Sequence, residues 1–493
     1  MREQYGKQMF KFDNSYSRLP EKFYARVDPA RVPEPELIKW NTQLAEELGV
    51  EHKDFSDHDL ARVFSGQKLL SGSMPIALVY AGHQFGHFVP RLGDGRALLL
   101  GEVMDSAGYR RDIQLKGSGR TPFSRRGDGK APLGPVLREY LVSEGLHHLG
   151  LPTTRSLAAV KTGEQVYREK SFPGAVLTRV ASSHIRVGTF EYFAAQSDLE
   201  NLKVLSEYSI WRHYPDINDD SQAYLQFFRK VGQAQVELVT SWMALGFIHG
   251  VMNTDNMSIA GETIDFGPCA FMDQFRFNRV FSSIDQFGRY SYSNQAQITL
   301  WNLSRLGNCL VLLFDKAAKE TVKTFNKELE YFADLFEQKL ALKMRKKLGI
   351  YNDEQREDRN LVQKWLKYLE SEDLDFTLSF RNLSALVEND ASHDFFNKNS
   401  LFLDFFEHWK KRIQSQKDAP GEIVERMNRI NPVFIPRNHK IEQVIEAGLK
   451  DDFSLFHEMN EVLMEPYKEQ EKFSAYRSAP APEQVIQATF CGT

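Results

Sequence analysis

The amino-acid sequence predicts an α+β protein in which a small β-rich unit precedes a larger helical one. Three observations carry this. Short apolar runs bounded by glycines fill about 70 to 187, as in "IALVYAGHQFGHFVPRLGDGRALLLGEV" and "RRDIQLKGSG". One helix-type run, "PVLREYLVSEGLHHLG", interrupts them between Pro135 and Gly150. From Thr189 onward the pattern changes to long amphipathic segments such as "SQAYLQFFRKVGQAQVELVTSWMALG" and "TVKTFNKELEYFADLFEQKLALKMRKKLG".

Taken in order, residues 1–69 read as an N-terminal extension, where "PELIKWNTQLAEELG" shows helical spacing with Gly49 as its stop. Two short strands are expected on either side of "RLGDGR". A third, "RRDIQLKGSG", puts Ile113 and Leu115 on one face and Gln114 and Lys116 on the other. The polar loop "TPFSRRGDGKAPLG" leads into the helix, with Pro135 in its first turn and Gly150 and Pro152 beyond its end. Strands are expected again at "SLAAVKTG" and "PGAVLTRVAS". The helical unit runs from 188 to 400. Residues 401–493 form a C-terminal helical extension whose tail, "RSAPAPEQVIQATFCGT", is extended or mobile.

Composition bounds the function. In 493 residues, 42% hydrophobic and 26% charged content is that of a globular protein. A net charge of -4 argues against general nucleic-acid binding. No run approaches the roughly 18 apolar residues of a membrane span, and the first residues lack the apolar core of a signal peptide. Three cysteines, Cys269, Cys309 and Cys491, exclude a disulfide scaffold and a zinc module, so a reducing cytoplasm is the expected compartment.

The chemistry concentrates in "HGVMNTDNMSIAGETIDFG", from His249 to Gly267. A kinase catalytic loop has the spacing H-x-D-x-x-x-x-N followed by D-F-G. His249, Asn256 and Asp265 fit that spacing, but the proton-accepting Asp is replaced by Val251, which accepts no proton. Asn256 and Asp265 are hard oxygen ligands suited to a Mg2+ or Mn2+ ion bound to phosphates. Asp255 fills the gap left by Val251 as a base, or caps the loop.

Upstream, Lys116 ends a strand after the Gly-rich turn holding Gly93, Gly95 and Arg96. It reads as a phosphate-binding lysine, or, standing alone, as a solvated strand residue. Glu139, about one turn into the helix, is its expected ion-pair partner, while Glu144 could simply face solvent. "LGDGR" is by itself a weak signal, since such turns are usually hairpins. The loop bearing Arg125, Arg126, Asp128, Gly129 and Lys130 binds polyphosphate or is an exposed polar loop. Arg179 and Arg186 join the two units, where a ligand in the cleft would meet them. Together these parts suggest a bilobal, protein-kinase-like plan.

With those residues assembled, the sequence resembles the selenoprotein O family of kinase-like proteins. "YAGHQFG", "LGDGRA", "IQLKGSGRTPFSRRGDGKA", "HGVMNTDNMSI", "IDFGPCAFMD" and "NPVFIPRNH" are similar to that family's signatures and span nearly the whole chain. The resemblance implies transfer of AMP from ATP to Ser, Thr or Tyr hydroxyls of proteins, the chain itself included, with ATP flipped relative to a kinase. It implies that Gly93, Gly95, Arg96, Lys116, Asp128, Gly129, Arg179 and Arg186 line the nucleotide. Glu139 holds Lys116, Asn256 and Asp265 hold the metal, and Asp255 is the base. It also implies a redox reading in which Cys491 takes the place of a selenocysteine. Ala488 stands where such members carry a nearby cysteine, so Cys269 is the alternative partner for Cys491. The alternative expectation is that Cys269 is a small buried hydrophobe and Cys491 a frayed, exposed thiol. Cys309 is expected in the core.

Overall fold

Alternating apolar residues in the first part of the chain build one twisted antiparallel sheet. The computed structural model describes residues 9–218, 222–314, 318–388 and 394–489. Ten strands come first: β1 (Tyr24–Arg26), β2 (Glu36–Trp40), β3 (Ile76–Leu78), β4 (Gly82–Gln84), β5 (His87–Val89), β6 (Ala97–Met104), β7 (Arg110–Lys116), β8 (Ala131–Pro132), β9 (Arg155–Tyr167) and β10 (Ser171–Ala181). The main sheet has the order β1-β3-β6-β7-β10-β9-β2, with β8 added on β10, while β4 and β5 form a separate hairpin.

The period-2 pattern places the two faces of β7 as expected. Ile113 and Leu115 join Val103, Leu157, Val160 and Val176 in a core closed by Trp40, Leu60 and Phe64 from the N-terminal residues. The opposite face, with Leu98 and Leu177, packs on the helix Leu133–His148 through Leu137, Tyr140 and Leu141. That helix begins two residues before Pro135, which lies in its first turn.

The helix expected over "PELIKWNTQLAEELG" divides in two. Glu36–Trp40 is β2, paired with β9 and burying Ile38 and Trp40, and only Thr42–Glu47 is helical. Asn41 makes the change, because its side chain accepts from Leu44 N at 3.1 Å as an N-cap while its amide donates to Ser156 O at 3.0 Å. Strand and helix periods agree over so short a window, and the cap decides between them. The two strands expected to flank "RLGDGR" are β5 and β6, but they are not paired with each other: β6 pairs with β3 and β7. The turn is therefore not a hairpin.

Helices Val187–Ala195, Leu199–His213, Ala223–Ala244, Gln295–Val311 and Ala318–Lys347 form the bulk of the helical unit. The last helices return to the sheet unit. Asn438–Gly448 and Ser454–Leu463 pack on the outer side of Leu133–His148. Gly145 leaves room for Pro436 there, and Gly448 for Leu137. Arg138 of the covered helix reaches Glu442 at 2.5 Å and Asn438 at 3.4 Å.

Arg437, from "NPVFIPRNH", is fully buried and binds Asp273 at 2.5 Å and Asp375 at 2.8 Å. It ties the segment after Asp265-Phe266-Gly267 to the C-terminal helices. Up to residue 489 the tail is largely extended and docked: Thr489 N donates to Phe281 O at 2.7 Å and Thr489 Oγ1 to Pro268 O at 2.6 Å. Cys491 lies outside the described residues.

Lys347 tests the energetics of this core. It is 2% exposed, with its ammonium 4.4 Å from the centre of the Phe380 ring. Burial lowers its pKa to about 7. An unfolded lysine stays protonated up to roughly pH 10, so this group makes stability rise between about pH 7 and pH 10 and leaves it flat below. Lys347→Met is expected to stabilise the chain by on the order of 3 kcal/mol at pH 7, with the gain shrinking toward pH 10. Urea unfolding at the two pH values measures it.

Candidate active site

The segment following Ala223–Ala244 is shaped by its own backbone contacts. His249 is a structural residue: Nε2 bonds Ile264 O at 2.8 Å, Nδ1 accepts from Val251 N at 3.3 Å, and the ring stacks on Trp242. Burial lowers its pKa and keeps it neutral. Thr254–Asn256 is a 3-10 turn that presents Asp255 and Asn256 in succession. Asp265 sits in the left-handed region at φ 64°, an uncommon conformation for a non-glycine residue that the surrounding ion pairs sustain.

Three cations from three places converge on that carboxylate. Asp265 Oδ1 receives Lys116 Nζ at 3.2 Å and Arg179 Nη2 at 2.5 Å, and Oδ2 receives Arg186 Nη1 at 2.8 Å. Lys116 and Arg179 also bind opposite oxygens of Glu139, at 2.6 and 2.5 Å. Burial alone would raise the Asp265 carboxyl, but Arg179, Lys116 and Arg186 outweigh it and hold it well below the usual carboxylate range. Glu139 is likewise desolvated, yet held low by Arg179 and Lys116. The expected Lys116–Glu139 pair is thus present. Glu144 does not face solvent: it is buried, binding Arg155 at 2.8 Å, Asn41 at 2.8 Å and Ser156 N at 2.8 Å.

The Gly-rich turn and the basic loop form one unit. Gly93, at φ 73°, lies under the Phe123 ring, where any Cβ would collide. Thr121 Oγ1 donates to Asp94 O at 2.7 Å, Ser124 Oγ donates to Gly95 O, and Arg96 O accepts from Gly117 N at 2.6 Å. Asp128 bonds Arg168 at 2.9 and 3.0 Å and Lys130 N at 3.0 Å, and none of the residues around Asp265. Gly129, at φ 71°, is the point where the loop crosses Gly119. Asp128 and Gly129 shape the loop, and Arg125 and Arg126 project from it into solvent.

Asp255 is 6% exposed. Its Oδ2 accepts from Gln84 Nε2 at 3.3 Å, whereas Oδ1 is buried with no donor among the described residues. Burial pushes its carboxyl up to about 6, against the opposing pull of Arg186. Arg186 Nη1, besides Asp265, donates to Asp255 O at 2.8 Å, which ties the two acids together.

Sequence reasoning missed several residues here. Asp94 is buried 3.7 Å from Arg186 and accepts from Gln114 Nε2 at 3.2 Å. The β4–β5 hairpin covers the loop that carries Asp255: His83 N donates to Thr254 Oγ1 at 2.7 Å, and Phe85 N to Asn253 Oδ1 at 3.0 Å. Gly82 is required because a side chain there would strike the Asp255 carboxylate. The signal available in advance was the pair of glycines framing polar residues in "GHQFG".

No group of three or more His, Cys, Asp or Glu among the described residues is placed to hold a metal ion. Asn256 directs its amide nitrogen to Val251 O at 3.0 Å, so its amide oxygen is the atom that could bind a metal. With a carboxylate oxygen of Asp265 that makes two hard donors, the number suited to a metal whose other ligands are phosphate oxygens and water. Cys269 is buried and Cys309 is a core thiol donating to Arg305 O at 3.2 Å. The Cys269–Cys491 pairing falls outside the described residues.

Comparison with known proteins matches the family model for protein adenylyltransferase SelO over residues 7–464. The chain belongs to the SelO family. The protein nucleotidyltransferase YdiU of Rhizobium meliloti (strain 1021) is 52% identical over 489 residues, covering 98% of this chain and 99% of that protein. Those of Rhizobium rhizogenes (strain K84 / ATCC BAA-868) and Bradyrhizobium diazoefficiens are 51% and 50% identical, each over 98% of this chain and over 97% and 99% of the relative.

Asp265 occupies the cations that a polyphosphate would also seek. Asp265→Ala is expected to lower stability by about 3 kcal/mol, since it leaves buried cations short of a partner. With a chelator present, ATP should then raise the Tm of Asp265→Ala by more than that of the wild type. Thermal unfolding with and without ATP checks both.

Proposed function

We propose that this chain is a protein adenylyltransferase that transfers AMP from ATP to Ser, Thr or Tyr hydroxyls of proteins, itself included, and releases pyrophosphate. The observation that carries the reading is the placement of Asp255. A kinase base is absent at Val251, and four residues on a buried carboxylate with an unpartnered oxygen stands beside the Lys116–Arg179–Arg186 cluster. The family description and the relatives' names support the same activity. In this reading the chain has a bilobal, kinase-like plan: an N-lobe over 70–187 and a helical C-lobe over 188–400, with 1–69 and 401–493 as extensions.

The chemistry assigns each residue a task. Gly93 and Gly95 let the backbone approach the phosphates. Lys116, Arg179 and Arg186 neutralise phosphate charge, and Glu139 keeps Lys116 and Arg179 oriented while they do so. Arg96 and the loop shaped by Asp128 and Gly129 close over a nucleotide bound flipped relative to a kinase, so that the α-phosphorus faces the acceptor. Attack there expels pyrophosphate, a leaving group with more charge than the AMP transferred, and the surplus of arginines suits it. Asn256 and Asp265 would hold Mg2+ or Mn2+, which supplies further charge neutralisation at the phosphates. Asp255 Oδ1 accepts the proton of the attacking hydroxyl, and Gln84 holds the other oxygen still.

Paired labelling with ATP carrying the radiolabel at the α- or γ-phosphate tests this. Label retained only from the α-position, lost in Asp265→Ala, is the expected result. Asp255→Asn should lower transfer by roughly 100- to 10,000-fold while ATP still raises the Tm. Label from the γ-position alone would mean a kinase with a displaced base. ATP binding with no label on any protein would mean a scaffold.

A further inference from the structure

We propose that the face formed by the β4–β5 hairpin and residues 284–305 receives the acceptor segment of the protein substrate and selects a hydroxyl flanked by an acidic and an apolar side chain. This rests on the transfer activity proposed above. Both walls of the face hang on one residue of the catalytic loop. Asn253 Oδ1, two residues before Asp255, accepts from Phe85 N at 3.0 Å and from Tyr290 OH at 2.6 Å. The Phe85 and Tyr290 rings meet with centroids 5.1 Å apart. Asp285 folds the second wall on itself by accepting from Arg289 N at 2.9 Å and Tyr290 N at 2.8 Å. Gly86 lies against the Arg289 guanidinium and joins the walls at their rim.

On this braced frame large apolar side chains face outward. Phe287 is 97% exposed, Ile284 65% and Phe88 40%. Their segments are pinned at several points, so the exposure is built in, and large apolar side chains held in solvent on a braced frame mark a contact surface. The face also carries two arginines. Arg289 and Arg305 stack on Trp301, with guanidinium carbons 4.7 and 5.0 Å from the ring centre. Neither arginine makes an ion pair among the described residues, and Arg289 Nε is buried without an acceptor. Glu191, which feels the charge of Arg305, is already held by His83 and Thr254. A carboxylate on the incoming segment supplies the missing partner, and guanidinium groups bind carboxylates in a fixed, directional fork. Gln84 on the same hairpin touches Asp255, so a segment held on this face brings its hydroxyl to the base.

The test uses the full chain, ATP radiolabelled at the α-phosphate, a divalent metal and a library of synthetic peptides with one central Ser, Thr or Tyr and varied flanks. Peptides with Asp or Glu near the hydroxyl should carry about tenfold more label than those without. In a double variant, Arg289→Gln with Arg305→Gln, that preference should fall to near parity while the apolar preference stays. Phe287→Ser should do the converse, and its side chain is too exposed for the change to affect folding. The rise in Tm with ATP verifies the nucleotide site in both variants. Labelled peptides without an acidic or apolar preference, or with preferences unchanged by both variants, would overturn the docking face and leave AMP transfer standing. The same holds for label confined to the enzyme itself. Absence of α-label from every peptide and from the chain would overturn the transfer activity and the docking face together.

Discussion

Lys116, Arg179 and Arg186 would repel one another if left alone in a buried cleft, because like charges a few ångströms apart interact strongly where water is scarce. Asp265 and Glu139 hold them within hydrogen-bond reach of two shared carboxylates. Lys116 comes from β7, Arg179 from β10, Arg186 from the start of the next helix and Asp265 from the Asp265-Phe266-Gly267 segment, so this cluster fixes sheet, helix and loop relative to each other. It also holds the three cations in fixed positions around one carboxylate. Groups already oriented need little reorganisation when charge develops on a phosphate, and that is where electrostatic catalysis gains most.

The second carboxylate of the cluster is positioned from outside. Glu139 lies on a helix whose inner face meets the sheet and whose outer face is covered by the helices after Arg437. Arg437 and Arg138 both tie this contact to the residues after Asp265-Phe266-Gly267. Arg437 binds Asp273, and Arg138 binds Glu442 and approaches Cys269 O at 3.5 Å. Burial of these charges is tolerable because each is paired, and removal of one partner is far costlier than loss of the pair.

How much of this was legible depended on the range over which each residue acts. Lys116 and Glu139 lie on regular elements whose periodicity assigns their faces, and Asn256 and Asp265 belong to one short motif. Asp94, Gln84 and Arg437 were not singled out, because their roles exist only through contacts with residues far along the chain. Gln84 meets Asp255 across 171 positions, and Arg437 meets Asp273 across 164. Glu144 was misjudged because its helix is buried on both sides, and an exposed face cannot be assumed for a helix lacking a polar stripe. The β2 strand was misread as helix because five residues ending at an N-cap fit both periods.

The cover over the Glu139 helix has a temporal consequence. Roughly 300 residues separate Glu139 from the Asn438–Gly448 helix that packs on it. A ribosome adding about 5 to 20 residues per second needs roughly 15 to 60 s to make them. Before that interval ends Lys116, Arg179 and Asp265 have all been made, while the helices that pack on the Glu139 helix have not. The outer packing on the Glu139 helix therefore forms only once these residues are made, and a fragment that stops short of Asn438 lacks it.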